Sequence, residues 1–289
     1  MNIFCTGNPY KEDFYKTFDK ILSINNKYNH NLYLDENVSH KTKKYKLISF
    51  EEFNNSDNID VVFSIGGDGA LLNTIRSMGC NQIPLLGIHI GNLGFLNQVN
   101  AIDLKNVLNE FYSIKSYSIK TYNLLTAKLK FRDNKKNIQL IALNDIVINH
   151  ANFLRLIKLK VSLDGNYLNE YACDGLIFST PLGSTAYSLS AGGPIVSPEI
   201  NSIILTPVSP HSLSARPIVL NNNSKITVEL CSQYSKINIV ADGQIQKEIS
   251  DVENIVIYES KIKAKFIYFD AMENYYLKLR NKLNWFGAS

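Results

Sequence analysis

The chain has 289 residues, of which 45% are hydrophobic and 19% are charged, and its formal net charge is +4 at pH 7. This composition is that of an ordinary soluble globular protein, and the length predicts two domains. The basic residues are scattered apart from a lysine cluster at 41–46, so the sequence predicts no nucleic-acid partner.

The cysteines and the apolar segments indicate where the protein works. Cys5, Cys80, Cys173 and Cys231 lie far apart, without a metal-finger or disulfide pattern, which is typical of a reducing compartment. No signal peptide is visible at the N-terminus, and no apolar stretch approaches the ~20 residues that span a bilayer. We therefore expect a cytoplasmic protein without a membrane partner.

The first part of the chain alternates predicted strands with predicted helices, which indicates a mostly parallel sheet. The first helix is expected to have Asn8 as its N-cap and Pro9 as its first residue. Residues 35–58 are polar and are predicted to form a long surface loop with room for one short helix. The strands are predicted at 2–5, 32–34, 59–64 and 83–88, and the helices have apolar faces within 14–28, 71–78 and 104–111.

The pattern changes to a period of two after this α/β domain, which predicts an antiparallel β domain. Asp164-Gly165 is expected to be a hairpin turn. A helical period returns after Asp270 and predicts one late helix. The strands are predicted at 125–132, 138–148, 157–163, 202–206, 225–231, 236–241, 244–249, 253–258 and 262–269.

The loop Gly66-Gly67-Asp68-Gly69 stands between a buried strand and a helix. Its glycines and the helix N-terminus would let backbone amides face an anion. A carboxylate in a loop that only holds phosphate would be repelled, so Asp68 suggests a base that takes a proton from a hydroxyl, or a group that meets phosphates through a metal. The alternative is a tight turn with Asp68 as the helix N-cap.

Two further stretches are unusual for a β domain. Residues 174–194 are rich in glycine and small hydroxylated residues, which suit phosphate or ribose, although a plain loop between strands is the alternative. Within it, residues 185–191 are predicted to form a short helix. Asn144-Asp145 interrupts an apolar strand, either as a bulge or strand end or as a pair directed at a ligand. Asp174-Gly175 and Asp242-Gly243 could be hairpin turns, and the isolated histidines predict no metal site.

Taken together, these motifs resemble the NAD kinase family along nearly the whole chain. The glycine-aspartate loop alone would also fit lipid kinases of the diacylglycerol type and phosphofructokinases. The specific part is the combination of that loop with Gly91-x-Leu93-Gly94-Phe95-Leu96, Asn144-Asp145, Asp174 through Pro194, Asp242-Gly243-Gln244 and the tail Leu279 to Phe286.

The resemblance implies a Rossmann-like α/β domain at 1–117 with 270–289, and a β domain at 118–269 that carries much of the NAD site. It implies transfer of the γ-phosphoryl of ATP to the 2′-hydroxyl of the adenosine ribose of NAD, with a divalent cation, expected to be Mg²⁺, carried by ATP. It also suggests a homodimer or homotetramer. Asp68 would be the catalytic base, and the nucleotide-binding residues would be Gly66, Gly67, Asp68, Gly69, Phe95, Asn144, Asp145, Arg155, Asp174, Thr185, Ala186, Tyr187, Ser188, Leu189, Ser190 and Gln244.

Two departures from the family pattern leave the preference for NAD or NADH open. Asp145 stands where many members have Glu, and Ala172 stands where several bacterial members have Arg. ATP and polyphosphate also remain alternative donors. A lipid or sugar kinase is the second hypothesis, although no amphipathic basic helix suits a membrane surface. A non-catalytic dinucleotide-binding module is the third, and Asp68 is the argument against it.

Overall fold

The computed structural model describes residues 1–38, 46–56, 58–91, 94–132, 137–151, 156–231, 236–269 and 275–285. The chain divides into two compact units, which we call unit 1 (Met1–Thr121 with Ala264–Ser289) and unit 2 (Tyr122–Lys263). Within the described residues, no helix combines the length and the hydropathy needed to cross a membrane.

The helices are α1 (Phe14–Asn25), α2 (Phe50–Asn54), α3 (Asp68–Met78), α4 (Leu104–Asn109), α5 (Tyr187–Ser190) and α6 (Tyr275–Leu283). The strands are β1 (Asn2–Gly7), β2 (Asn31–Asp35), β3 (Lys46–Ile48), β4 (Val61–Gly66), β5 (Leu85–His89), β6 (Val99–Asn100), β7 (Ser118–Phe131), β8 (Ile138–Ala142), β9 (Asp145–His150), β10 (Ile157–Leu163), β11 (Asn166–Cys173), β12 (Gly175–Ser179), β13 (Ser202–Val208), β14 (Ile218–Asn221), β15 (Ile226–Leu230), β16 (Ile237–Ala241), β17 (Ile245–Ile249) and β18 (Val252–Tyr268).

Unit 1 is built on a parallel sheet in the order β5-β4-β1-β2-β3. The end of β18 joins this sheet in parallel, with Phe266 opposite Leu85. Every residue of β4 is buried, which explains why its sequence is a continuous apolar run. Side chains of α1 and α4 share the core with the sheet, including Phe14 and Leu108. The predicted α/β class with a mostly parallel sheet is confirmed.

The start of the first helix was predicted wrongly. The helix begins at Phe14 rather than at Pro9, and the residue before it is Asp13. The side chain of Asn8 accepts a hydrogen bond from the backbone N–H of Tyr10 at 3.0 Å, so it stabilises a turn after β1 instead of capping a helix. A Cβ on Gly7 would lie 1.9 Å from the carbonyl oxygen of Ile65, so this turn runs directly against β4.

The predicted surface loop at 35–58 is more structured than its polar composition suggested. It contains β3 and α2, and Ser49 and Glu52 form a capping box at the start of α2. The short helix is therefore confirmed, whereas the short strand was missed. Residues 39–45 and 57 of this segment lie outside the described residues.

Unit 2 contains two antiparallel sheets, which confirms the predicted class of this half. One sheet has the order β14-β13-β12-β9-β16-β17. The other contains β7, β8, β10, β11, β15 and the first part of β18. Residues from both sheets, among them Leu129 and Phe178, form one apolar core.

The predicted single strand at 138–148 is two strands that belong to different sheets. β8 pairs with β7, whereas β9 pairs with β12 and β16, and Leu143 and Asn144 connect the two sheets. The prediction of one continuous strand was therefore wrong, and the strand-end alternative for Asn144-Asp145 is the observed one. Conversely, the strands predicted at 253–258 and 262–269 are one strand, β18.

The aspartate-glycine pairs differ in what they do. Asp164 and Gly165 have φ values of +50° and +84°, as the two-residue turn between β10 and β11 requires, and Asp242 and Gly243 have +52° and +64° in the three-residue connection 242–244 between β16 and β17. Both hairpins are confirmed. Asp174-Gly175 is not a hairpin, because Gly175 is the first residue of β12 and the strands on either side belong to different sheets.

Candidate functional site

The carboxylate of Asp68 is surrounded by hydrogen-bond donors from a neighbouring loop of unit 1. Its Oδ2 accepts from the backbone N–H of Phe95 at 2.7 Å, and its Oδ1 accepts from that of Leu96 at 3.1 Å. The side-chain amide of Asn97 donates to Oδ1 at 3.0 Å. Asp68 is the first residue of α3, and the N-cap is Gly67. The alternative that Asp68 merely caps this helix is therefore wrong, because its carboxylate is bound to another loop.

The two glycine loops lie side by side because β4 and β5 are parallel neighbours. Gly66 pairs with His89, so both loops leave the sheet at the carboxyl ends of adjacent strands. In open α/β sheets, ligands bind beyond the carboxyl ends of the strands, so this is the edge where a ligand is expected. Gly66 has a φ of +155°, and a Cβ there would lie 2.7 Å from that of Ala70, so only glycine allows α3 to start this close to the strand.

Lys278 of α6 and His89 lie near the carboxylate. The Lys278 ammonium donates to the backbone carbonyl of Asn97 at 2.6 Å, and its residue is 5% exposed. Burial lowers the pKa of His89, and the positive charges of Lys278 and Lys282 lower it further, so this imidazole is neutral at neutral pH. Because His89 is neutral, the buried positive charge near Asp68 is that of Lys278, not that of the histidine.

In unit 2, the chain between β8 and β9 is bound by the carboxylate of Asp242. Asp242 accepts from the backbone N–H groups of three consecutive residues, Leu143 at 3.1 Å, Asn144 at 2.7 Å and Asp145 at 3.3 Å. Its own N–H donates to the carbonyl of Asp145 at 3.0 Å. The tip of the β16–β17 hairpin therefore fixes the position of the Asn144-Asp145 pair.

The segment after β12 contacts the same pair from its carbonyl side. The Thr180 hydroxyl donates to the carbonyl of Leu143 at 2.6 Å, and the Thr180 N–H donates to that of Asn144 at 2.9 Å. A Cβ on Gly183 would lie 2.1 Å from the Asn144 carbonyl oxygen, so the glycine is required by this close approach. The side-chain Oδ1 of Asn144 is buried and has no partner among the described residues, which leaves an acceptor available for a ligand.

Asp145 is 3% exposed, and its carboxyl group is shifted toward the neutral form. Burial and the nearby charge of Asp242 raise its pKa to about 7, although a hydrogen bond from the backbone N–H of Tyr187 opposes the shift. This contact joins the Asn144-Asp145 pair to α5, the predicted short helix. A carboxyl that titrates near neutral pH can accept or donate hydrogen bonds to hydroxyl groups.

The predicted residues 185–190 are positioned by the turn at 182–185 and by α5. Ser188 is buried, and its hydroxyl shares a hydrogen bond with that of Thr206 at 2.9 Å, so its side chain is part of the structural core of this segment. Tyr187 is 47% exposed and presents its ring to solvent. Thr185, Ala186 and Leu189 are half-buried, and Ser190 is exposed.

The remaining predicted residues lie elsewhere or are not described. Gln244 is exposed in the same hairpin turn as Asp242. Asp174 precedes β12, whereas Asp145 pairs with Ser179 at the other end of that strand, ~16 Å away at ~3.3 Å per residue. Within unit 2, Asp174 is therefore separated from the Asn144-Asp145 pair. Arg155 lies outside the described residues, and Phe95 is half-buried beside Asp68.

From the sequence we did not name Asn97, Asp242 or Lys278 as site residues, although each of them contacts the residues described above within its own unit. Asp242 could have been found, because it belongs to a motif that had been noticed, but a hairpin turn explained it without a ligand. Asn97 and Lys278 carry no local signal. Among the described residues, no group of three or more His, Cys, Asp and Glu side chains is arranged to hold a metal ion.

Comparison with known proteins shows which family has this architecture. Residues 11–117 match the ATP-NAD kinase N-terminal domain, and residues 143–269 match the ATP-NAD kinase C-terminal domain. A NAD kinase from Clostridium botulinum is 37% identical over 227 residues, which cover 78% of this chain and 79% of that protein. A NAD kinase from Gemmatimonas aurantiaca is 36% identical over 231 residues, which cover 80% of this chain and 79% of that protein.

Solved structures agree with these matches. Yeast NADH kinase complexed with NADH has a TM-score of 0.87 and 26% identity, with 100% of this chain and 89% of that chain covered. A NAD kinase from Archaeoglobus fulgidus in complex with ATP has a TM-score of 0.77 over 99% of this chain and 100% of that one; at 23% identity this likeness shows the fold alone. The fold class that the resemblance implied is confirmed, and the chain belongs to the NAD kinase family.

Proposed function

We propose that this enzyme of the NAD kinase family transfers the γ-phosphoryl group of ATP to the 2′-hydroxyl of the adenosine ribose of NAD. The observation that carries the proposal is the environment of Asp68, a half-buried carboxylate at the start of a helix and beside two glycine loops. A module that only binds a dinucleotide gains nothing from a negative charge beside phosphates.

Asp68 is the proposed base. A carboxylate has about four acceptor positions, and the described residues use three of them, so one remains for the hydroxyl of the substrate. In the reaction, the 2′-oxygen forms a bond to the γ-phosphorus, the bond from that phosphorus to the bridging oxygen breaks, and ADP leaves. The 2′-hydroxyl proton passes to Asp68. Late proton removal suffices, because phosphoryl transfer depends mainly on position and charge.

The glycine loop is proposed to contact the nucleotide phosphates. The backbone N–H of Gly67, at the N-terminus of α3, provides a donor that needs no side chain. Gly66 allows the close approach. Mg²⁺ is treated as part of the substrate MgATP, where it bridges phosphate oxygens and reduces their charge. Phe95, beside Asp68, is proposed to line the pocket.

Unit 2 is proposed to bind the dinucleotide. The unpartnered Asn144 oxygen and the Asp145 carboxyl suit ribose hydroxyls, and the exposed ring of Tyr187 suits stacking with a base. Residues 185–190 contribute backbone and hydroxyl donors. Asp174, Arg155 and Gln244 stay proposed contacts.

The acceptor and the assembly are the finer parts of the proposal. We propose NAD as the acceptor, with NADH as the competing substrate, because the yeast relative is named a NADH kinase and was solved with NADH. We also propose ATP rather than polyphosphate as the donor and a homo-oligomer as the working form. The cytoplasmic location expected from the cysteine pattern stays a prediction.

The test is a coupled assay for NADP with purified protein, MgATP and NAD. Asp68→Asn should lose most turnover and keep NAD binding by calorimetry, whereas Asp103→Asn, an exposed carboxylate of unit 1, should behave as the unchanged protein. NADH and polyphosphate replace NAD and ATP in parallel reactions. Phosphorylation of diacylglycerol but not of NAD, or equal loss of binding and turnover in Asp68→Asn, would overturn the proposal.

A further inference from the structure

Lys278 is a buried lysine that the proposed reaction does not use. It is 5% exposed on α6, whereas Lys282, one turn later, is exposed. Burying an ammonium group costs free energy unless it is paired or hydrogen-bonded. An apolar residue of similar length would pack at this position without that cost. The presence of the charge therefore calls for an explanation beyond the stability of the helix.

The contacts of Lys278 lead directly to the base. Its ammonium group donates to the carbonyl of Asn97 at 2.6 Å, and the side-chain amide of the same Asn97 donates to Oδ1 of Asp68 at 3.0 Å. Asn97 is fully buried, so neither bond competes with bulk water. Asn97 thus accepts a hydrogen bond from Lys278 with its backbone carbonyl and donates one to Asp68 with its side chain.

We propose that Lys278 is a positioning residue for Asp68. Through Asn97 it fixes the loop at 95–97, whose donors determine where the carboxylate oxygens lie. This inference rests on the proposed function, because it assigns a role relative to the base of that reaction.

Two other titratable groups, His89 and Lys282, lie near this connection. His89 from β5 is influenced by Asp68, Lys278 and Lys282, and its lowered pKa keeps it neutral above the acid range. Lys282 is exposed, so solvent screens its charge. Lys278 is therefore the residue of α6 whose replacement tests the connection to Asp68, and the exposed Lys282 is its matched control.

The experiment compares Lys278→Met with Lys282→Met in the NADP assay. For Lys278→Met we expect kcat to fall on the order of tenfold to a hundredfold, as small misplacements of a catalytic group do. KM for NAD and the binding stoichiometry by calorimetry should not change. Lys278→Arg, which keeps the charge and the donor, should recover much of kcat.

The controls separate this inference from the proposed function and from simple unfolding. NADP formation by the unchanged protein and by Lys282→Met tests the function alone. If Lys278→Met does not fold, Asn97→Ala breaks the same connection at its other bond and should reduce kcat with full NAD binding. Turnover within twofold of the unchanged protein in the folded variant, or a loss that matches a lower binding stoichiometry and is not recovered by Lys278→Arg, would overturn the inference.

Discussion

Gly94 and Asp68 are matched in shape, because a Cβ on Gly94 would lie 2.0 Å from Oδ1 of Asp68. The same Cβ would lie 2.2 Å and 2.3 Å from the other two carboxyl atoms, so the whole group fills the space that a side chain would need. Position 94 therefore has to be glycine for the carboxylate to reach the backbone donors of the loop.

Gly94→Ala should displace the carboxylate of Asp68. The side chain can rotate away, so we expect the melting temperature to change little and kcat for NADP formation to fall on the order of a hundredfold. The KM for NAD should stay within about twofold, because the unit 2 residues are untouched. Wild-type turnover in a folded Gly94→Ala protein would show that the base does not need this position.

The match between these residues illustrates what the sequence could predict. A strand, a glycine loop and a helix are local patterns, so the loop at 66–69 between a buried strand and a helix was predicted from the chain alone. The contact between positions 68 and 94 is not local. Nothing in the spacing of the two loops indicates that the donors of one loop bind the carboxylate of the other.

Asp242→Asn should weaken both the structure of unit 2 and the binding of NAD. The amide oxygen of Asn can still accept from Asn144 and Asp145, but the amide NH2 replaces the second oxygen and leaves the buried backbone N–H of Leu143 without an acceptor, at ~1–3 kcal/mol. We expect a lower free energy of unfolding by urea titration and a higher KM for NAD, because the chain segment that carries the Asn144-Asp145 pair loses part of its support.

Asp164→Asn is the matched control for this change. Asp164 also has a positive φ in a two-residue hairpin, and its carboxylate accepts from the backbone N–H of Lys225 at 2.8 Å. It is exposed and belongs to a different hairpin of unit 2. We expect a small loss of stability and an unchanged KM. Equal effects of the two substitutions on KM would mean that Asp242 has no special relation to the site.

Asp145 should make the stability of the protein depend on pH. Its folded pKa is raised to about 7, whereas an unfolded aspartate has a pKa of ~3.9, so the folded state binds more protons between these values. The contribution of Asp145 is complete below about pH 4 and is lost as the pH rises toward 7, by up to ~1.4 kcal/mol per pH unit.

The measurement compares urea unfolding of the unchanged protein with that of Asp145→Asn from pH 4 to pH 8. The difference in free energy should move in favour of Asp145→Asn as the pH rises, because the amide cannot ionise. Asp164→Asn should follow the unchanged protein. A constant difference across this range would show that Asp145 has an ordinary pKa in the folded state.

Tyr187→Ala should reduce the affinity for NAD. The exposed ring is proposed to stack on a base, and such stacking contributes ~1–3 kcal/mol, which corresponds to roughly a fivefold to 150-fold change in dissociation constant. Tyr187→Phe should bind as the unchanged protein does, since it keeps the ring. Tyr167→Ala, on β11 and 63% exposed, serves as the control. Loss of affinity in Tyr187→Phe as well would assign the effect to the hydroxyl.

The β half was predictable as a class but not in its connections. Alternation of apolar and polar residues identified strands such as β7 and β10. It could not separate β8 from β9, because both are apolar and only the polar pair between them marks the change of sheet. For Asp174, the sequence could not indicate that a whole strand separates it from Asp145 within unit 2.

The bond between Asp242 and Asn144 joins residues that are 98 positions apart in the chain. During synthesis on the ribosome, the Asn144-Asp145 pair emerges long before the carboxylate that orders it. At ~5–20 residues per second, the delay is on the order of five to twenty seconds. Every newly made chain therefore passes through a period in which strands of unit 2 can form while the Asn144-Asp145 pair remains unorganised, and the NAD binding proposed for this pair is among the last properties this protein acquires.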